Sequence, residues 1–201
     1  MSDAPLLLPT LSGRQVRLRA WRDTDVPLVQ EASRDTLIPL VTTVPRTPDE
    51  TAALAFIRRQ HQRLESGAGY AFAIADLDDR AVGHIGLFPV GRTRASVGYW
   101  VAASQRRRGF AADALATLTS WASTLERLDR LELYVEPANE GSWRVAESAG
   151  YEREGLLKAW QRIDGRPRDM YMYAQLTERA RVGAGRSLSP DTTKPPENRG
   201  S

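Results

Sequence analysis

The sequence contains no cysteine, and that absence removes several chemistries at once. No disulfide, thiolate nucleophile, cysteinyl acyl relay or thiolate metal site can be built from it. Histidine is scarce: His61 and His84 are the only two, which disfavours a multi-histidine metal centre. Lysine is reduced to Lys158 and Lys194 among 28 basic residues, so arginine carries the positive charge. Against 25 acids the net charge is +3, too small to demand a nucleic-acid partner. Long apolar runs are missing too, and none approaches the ~20 residues of a membrane span. The opening MSDAPLLLPTLSG has a leucine cluster but no basic start and no clear cleavage site, so no secretory signal is predicted. A cytoplasmic location fits these absences.

What is present is the composition of a globular protein. With 201 residues, 41% of them apolar, the chain can bury one substantial core. Residues 183–201, GAGRSLSPDTTKPPENRGS, hold little to bury. The expectation is a flexible segment at 1–10, a single domain at 11–181 and a disordered tail at 182–201.

Periodicity divides the middle of the chain. QVRLRA, Gln15 to Ala20, alternates as a strand does, and Asp23 or Thr24 can cap a helix reaching about Ser33. Thr47-Pro48-Asp49-Glu50 reads as a capping box with Thr47 as cap, opening a helix that stops at Gly67. The period then falls to two over Tyr70–Ala75, Ala81–Val90 and Ala95–Val101. Ala111, Ala114, Leu115, Leu118, Ala122 and Leu125 mark one face of a further helix. A short strand at Leu131–Val135 precedes a helix over Asn139–Ala149, which Gly150 ends. Strands at Tyr151–Ile163 and Met170–Leu176 flank an Asp164-Gly165 turn. The order implies an α/β protein with a mixed sheet and helices on its faces. The strand–helix–strand step from Tyr99 to Val135 needs a crossover, so that strand pair should be parallel.

One segment stands out: Arg106-Arg107-Arg108-Gly109-Phe110-Ala111, set between a strand and a helix. A helix that starts at the end of a strand presents unpaired N–H groups and partial positive charge. That arrangement binds anions, phosphates included. Gly109 permits close approach and a positive φ, and the arginines add attraction for a polyanion. No G-x-x-x-x-G-K-[ST] is present, which disfavours a P-loop, and GAGY at Gly67 follows a helix instead of preceding one.

These six residues match the Q/R-x-x-G-x-G/A motif of the GNAT superfamily of acyl-CoA-dependent N-acyltransferases. The flanks are similar too. VGYWV resembles the family's splayed fourth strand, and LELYVEPANEGSWRVAESAGYEREGLLKAW, Leu131 to Trp160, resembles the RimJ/RimL-like branch. The resemblance covers about Leu11 to Leu176 and implies a GNAT fold. That fold is a twisted mixed sheet of about six or seven strands flanked by about four helices. It also implies acetyl-CoA as cosubstrate, no metal, and transfer of acetyl to a primary amine in a small molecule or at a protein N-terminus. Backbone N–H groups of Arg107 to Ala111, with Arg106 beside them, would hold the coenzyme pyrophosphate. Trp100 and Val101 would pair with pantetheine, Asn139 would meet its amide region, and Ser142 would sit near the thioester sulfur. The family also admits a homodimer.

The resemblance has gaps. Where many relatives carry a glutamate before the Gly-Tyr-Trp this chain has Ser96, and where RimL-like members have one on a later strand it has Gln161. A base would then be another carboxylate or His84, through water, or the amine would need little help. Ser142 suits both a helix cap and a donor to departing sulfur. His84, alternating with Val82 and Gly86, reads first as a core residue, and Asp169 as a turn-fixing one. Trp100 and Trp160 are candidates for an acceptor pocket. Without the missing carboxylates an acyl-CoA sensor on the same fold is the alternative.

Overall fold

The alternations just described become strands of one sheet in the computed structural model, which describes residues 8–181. The elements in chain order are β1 (Leu11–Ser12), β2 (Arg17–Arg19), α1 (Val26–Ser33), α2 (Ile38–Val41), α3 (Glu50–Glu65), β3 (Tyr70–Ala75), β4 (Ala81–Val90) and β5 (Arg94–Val101). There follow α4 (Phe110–Ala122), β6 (Arg130–Val135), α5 (Glu140–Ser148), β7 (Glu152–Ile163) and β8 (Arg166–Leu176). The sheet has 8 strands in the order β1-β2-β3-β4-β5-β6-β8-β7. Every neighbouring pair is antiparallel except β5–β6, the pair the crossover argument required to be parallel.

Helices cover both faces of the sheet. Ala114, Leu115, Leu118 and Ala122 of α4 are fully buried in one core with Leu131, Leu133 and Ile85. Burying a leucine side chain contributes about 2 kcal/mol, so this stripe anchors the crossover firmly. On the opposite face, Val29 of α1 and Phe56 and Ile57 of α3 pack with Trp21, Ala73 and Trp100 in a second core. Asp113, buried in the first turn of α4, accepts hydrogen bonds from Gln15 N (2.7 Å) and Val16 N (3.1 Å). The start of β2 is thereby tied to the start of α4.

Several elements differ from expectation; α1, for one, has Asp25 at its N-cap after a 3-10 turn over Asp23–Asp25, and not Asp23 or Thr24. The cap of α3 is Asp49, whose Oδ1 accepts from Ala52 N at 2.9 Å; Thr47 instead donates to Asp49 Oδ2 at 3.1 Å. Helix α2 was not foreseen, and Asp35 starts it by accepting from Leu37 N (2.8 Å) and Ile38 N (3.0 Å). Strand β8 begins at Arg166, because Asp164 (φ 50°) and Gly165 (φ 74°) make a two-residue turn that returns the chain directly into pairing. The two-residue β1, paired with β2, is the eighth strand. Asp169 fixes a bulge instead of a turn: it accepts from Ala159 N (2.9 Å) and Lys158 Nζ (2.9 Å), where β7 slips register against β8 and Ala159 has φ 50°. The segments expected to be flexible, 1–10 and 182–201, lie largely outside the described residues.

Candidate active site

The parallel pair β5–β6 opens almost as soon as it forms. Its register runs Arg94↔Arg130, Ala95↔Leu131, Ser96↔Glu132 and then ends, although both strands continue. From Val97 onward β5 keeps β4 on one side and loses β6 on the other. The wedge between them is lined by backbone that a ligand can pair with in strand fashion. A cavity of about 480 Å³ occupies it.

One end of this cavity is the start of α4. Gly109 is the helix N-cap at φ 82° and carries no side-chain cap, so the first-turn N–H groups face the cavity without an internal acceptor. Arg107 also has positive φ, 61°, which turns successive N–H groups the same way. Arg106, Arg107, Gly109, Phe110 and Ala111 all line the cavity, as do Trp100 and Val101 of β5. Arg108 does not; it donates to Gln105 Oε1 (2.6 Å) and lies over the Phe110 ring at 4.9 Å.

The three arginines therefore do different things. Arg106 Nη2 donates to Asp35 Oδ2 at 2.6 Å and its Nε to the Val101 carbonyl at 3.1 Å. Burial opposes ionisation of Asp35, but N–H bonds from Ile38 and Leu37 and the Arg106 guanidinium hold its carboxyl below the usual range. Ser104 adds two hydrogen bonds to Glu31, from its N (3.0 Å) and Oγ (3.1 Å). The loop before α4 is thus stapled to α1 and α2. Arg107, exposed, has no hydrogen bond or ion pair with another described residue, which leaves it for a ligand.

Across the wedge stands α5. Asn139 caps it by accepting from Ser142 N at 3.2 Å. This relieves Ser142 of any capping role. Its Oγ–H donates instead to Tyr99 Oη (3.0 Å), and the Tyr99 hydroxyl donates to the Ser142 carbonyl (2.8 Å). Burial pushes the Tyr99 phenol up to about 12, so it stays protonated at neutral pH and keeps its proton available as a donor. Tyr99 had no assigned role in the sequence. Its position on the splayed half of β5, inside VGYWV, was the signal.

Tyr99, Trp100, Asn139 and Ser142 are shared with a second cavity of about 330 Å³ on the α1–α3 face of the sheet. His84 is in its wall, packed among Trp21 (5.9 Å), Trp100 (6.1 Å) and Phe56 (6.2 Å) ring centroids. Burial, helped by the nearby Arg63 guanidinium, pushes the imidazole down to about 3, so it is neutral. It has the core role first ascribed to it, with one face on the cavity. Gln161 lines the cavity and is neutral, as expected, while Trp160 is 55% exposed and stacks on Tyr134 at 5.5 Å. Ser96 does not line it. Glu136 and Arg63 do, and neither was singled out in the sequence. Glu136 follows the last residue of β6, at the carboxyl end of a strand, where ligands of open α/β sheets gather; that was its only signal.

Among the described residues no group of three or more metal-ligating side chains is present, and no helix is long and apolar enough to cross a membrane. Comparison with known proteins agrees with this geometry. Residues 15–152 match the family described as Acetyltransferase (GNAT) domain. The chain is 31% identical over 115 residues to "Uncharacterized N-acetyltransferase p20" of Bacillus licheniformis, covering 56% of this chain and 65% of that one. It is 33% identical over 113 residues to "Probable N-acetyltransferase YjcK" of Bacillus subtilis, covering 54% and 62%. The chain therefore spans less than two thirds of the length of these curated relatives. Mycobacterium smegmatis RimJ, solved in complex with CoA-disulfide, aligns with a TM-score of 0.74 and 26% identity over 89% of this chain and 96% of that one. The chain belongs to the GNAT acetyltransferase family.

Proposed function

We propose that the protein is an N-acetyltransferase, moving acetyl from acetyl-CoA to a primary amine by direct attack in a ternary complex. The observation that carries this reading is the meeting of two cavities at Tyr99, Trp100, Asn139 and Ser142. One ends on the uncapped start of α4; the other is an aromatic-walled chamber of a size to hold a small acceptor or a chain end.

The residues fit the coenzyme by their own chemistry. N–H groups of Arg107 to Ala111 would receive the pyrophosphate, with the Arg107 guanidinium beside them. The free backbone edge at Trp100 and Val101 would pair with the pantetheine amides, and the Asn139 amide would reach the same arm. When bound, acetyl-CoA supplies the acetyl group as a reactive thioester. Ser142, turning its hydroxyl from Tyr99, would then offer a proton where the sulfur leaves, and a backbone N–H near Val101 would polarise the carbonyl.

Incubation with acetyl-CoA and a panel of amines, followed by free-thiol release, tests the activity; absence of both coenzyme binding and turnover would discard it. Placement of the pyrophosphate is tested by calorimetry on Gly109→Asp beside Gly109→Asn. Both side chains strain the same backbone at φ 82°, so their difference isolates the charge. The aspartate variant should bind coenzyme A more than tenfold more weakly than the asparagine variant, about 1.4 kcal/mol. Equal affinities in folded proteins would move the pyrophosphate elsewhere.

A further inference from the structure

The acceptor chamber contains two charged side chains with incomplete partners: Glu136, paired only loosely with Arg168, and Arg63, with no counter-charge among the described residues. Glu136 is its one lining carboxylate. The Oε2 of Glu136 is shielded from solvent and forms an ion pair with Arg168 Nε at 3.6 Å, too long for a hydrogen bond, so it accepts none. A buried carboxylate oxygen in that state is an acceptor waiting for a donor. The main chain holds it in place. Asn139 N donates to the Glu136 carbonyl at 2.8 Å, so the turn that positions Glu136 also positions the cap of α5 and hence Ser142.

At the other end of the chamber is Arg63 of α3. Its guanidinium lies over the Phe88 ring at 4.9 Å, and its Nε donates to Gln60 Oε1 at 3.2 Å. Among the described residues no carboxylate comes within ion-pair distance of it. Partial burial, with Arg59 nearby, lowers its pKa, the mark of a cation without a counter-charge. Between the two ends the walls are largely apolar, with Phe56, Trp100, Leu133 and Met170, and the neutral His84 adds no charge.

The spacing follows from the sheet register. Phe88 faces Ser96, and Ser96 faces Glu132, so Arg63 lies above a row that is met four residues before Glu136 on β6. Four strand residues and two strand spacings place the backbone of Phe88 and of Glu136 roughly 16 Å apart. An acceptor with its two charges well separated matches that span better than an α-amino acid, whose charges share one carbon.

Given the acetyltransferase reading, on which this rests, we propose that the acceptor is an extended zwitterion. Its primary ammonium sits against Glu136, and its carboxylate, at the far end of an apolar linker or short peptide, sits against Arg63. Glu136 takes one proton from the ammonium, freeing the nitrogen lone pair. The C–N bond forms as the thioester C–S bond breaks. Ser142 Oγ–H, turned from Tyr99 toward the sulfur, gives its proton to the departing thiolate, the second amine proton replaces it through the Tyr99 hydroxyl, and coenzyme A leaves as the thiol. Glu136 returns its proton to water, so each turnover yields amide, thiol and one proton.

The test is acetyl-CoA-dependent thiol release in matched pairs: 6-aminohexanoate against hexylamine, and trialanine against its C-terminal amide. Each acid should show kcat/KM at least tenfold above its carboxylate-free partner, and Arg63→Gln should bring that ratio close to one. The better of the two acids tells whether an ω-amino acid or a peptide end is the source. Glu136→Gln should lower kcat about 100-fold with the best acceptor, the size expected for a lost general base, with melting temperature and coenzyme binding confirming the fold. Turnover indifferent to the carboxylate, or full kcat in Glu136→Gln, overturns this assignment and leaves the acetyltransferase standing. Turnover with no amine at all removes both.

Discussion

The two cavities that meet at Tyr99 are made of different materials. The side proposed for coenzyme draws its polar groups largely from backbone: the unpaired edge of β5, the N–H groups opening α4, a glycine at φ 82°. The acceptor side is mainly side chains, contributed by α2, α3, β4, β5, β6 and the β7–β8 hairpin. Backbone geometry binds what all members of a family share, because any sequence that makes the elements makes the site. Side chains bind what differs. This division explains why the donor of the acyl group is readable from a motif and the acceptor is not.

The largest effect expected at the junction is on chemistry. Ser142→Ala removes the hydroxyl proposed to meet the leaving sulfur, while Tyr99→Phe removes its partner and frees Ser142 from their mutual hydrogen bond. Ser142→Ala should lower kcat about 100-fold with KM for acetyl-CoA little changed, since a general acid acts on the transition state and not on the bound substrate. Tyr99→Phe should fall between Ser142→Ala and wild type if Tyr99 only orients Ser142. Steady-state kinetics on both variants and the double variant decides the order: a double variant no worse than Ser142→Ala makes the pair one relay. Loss that appears in KM alone would assign both residues to binding.

The acceptor side carries a stability liability that the coenzyme side lacks. His84 is neutral in the fold, with its pKa depressed from the ordinary 6.5 to about 3. Below pH 6.5 the unfolded chain gains a proton that the folded chain refuses, so stability falls as pH falls, by about 1.4 kcal/mol per unit. The effect is absent above pH 6.5 and continues down to about pH 3. Asp35, Asp79, Glu132 and Glu154 have depressed pKa values instead and withdraw stability only once they protonate, at lower pH. Denaturant melts between pH 7 and 5 therefore isolate the histidine. His84→Leu should flatten that slope; a wild-type curve already flat over this range would mean the imidazole is solvated.

The same division marks how much was legible beforehand. Period-two runs located β3 to β5, and the apolar stripe of α4 was read correctly because Leu115, Leu118 and Ala122 repeat at helical spacing over several turns. Gly109 and Gly150 were legible because positive φ favours glycine, and both adopt it, at 82° and 84°. Short elements were not: α2 rests on an Asp35 cap and a proline, with too few turns for a period to show. Thr47 and Asp49 compete for the same helix start, and only geometry chooses between them. Glu136 was missed because its one local signal, a place just past the end of a strand, is shared by many exposed glutamates. Its character comes from what surrounds it in three dimensions, and those neighbours come from distant parts of the chain.

The smallest expected effect separates neighbours within the arginine run. Arg106 is half-exposed and bound to the shielded Asp35, and it belongs to the staple between α2 and the loop before α4. Arg107 has no such partner. Arg106→Gln should lower stability by about 1 kcal/mol or less, a few degrees in Tm, and weaken coenzyme A binding by less than tenfold with little dependence on salt. Arg107→Gln should leave Tm in place and lose affinity chiefly at low ionic strength, where an unpaired exposed charge acts at its longest range. Melting curves and calorimetry at two salt concentrations distinguish the two. If Arg106→Gln changes only the salt dependence, the pair with Asp35 does no structural work, and Arg106 joins Arg107 in serving the ligand.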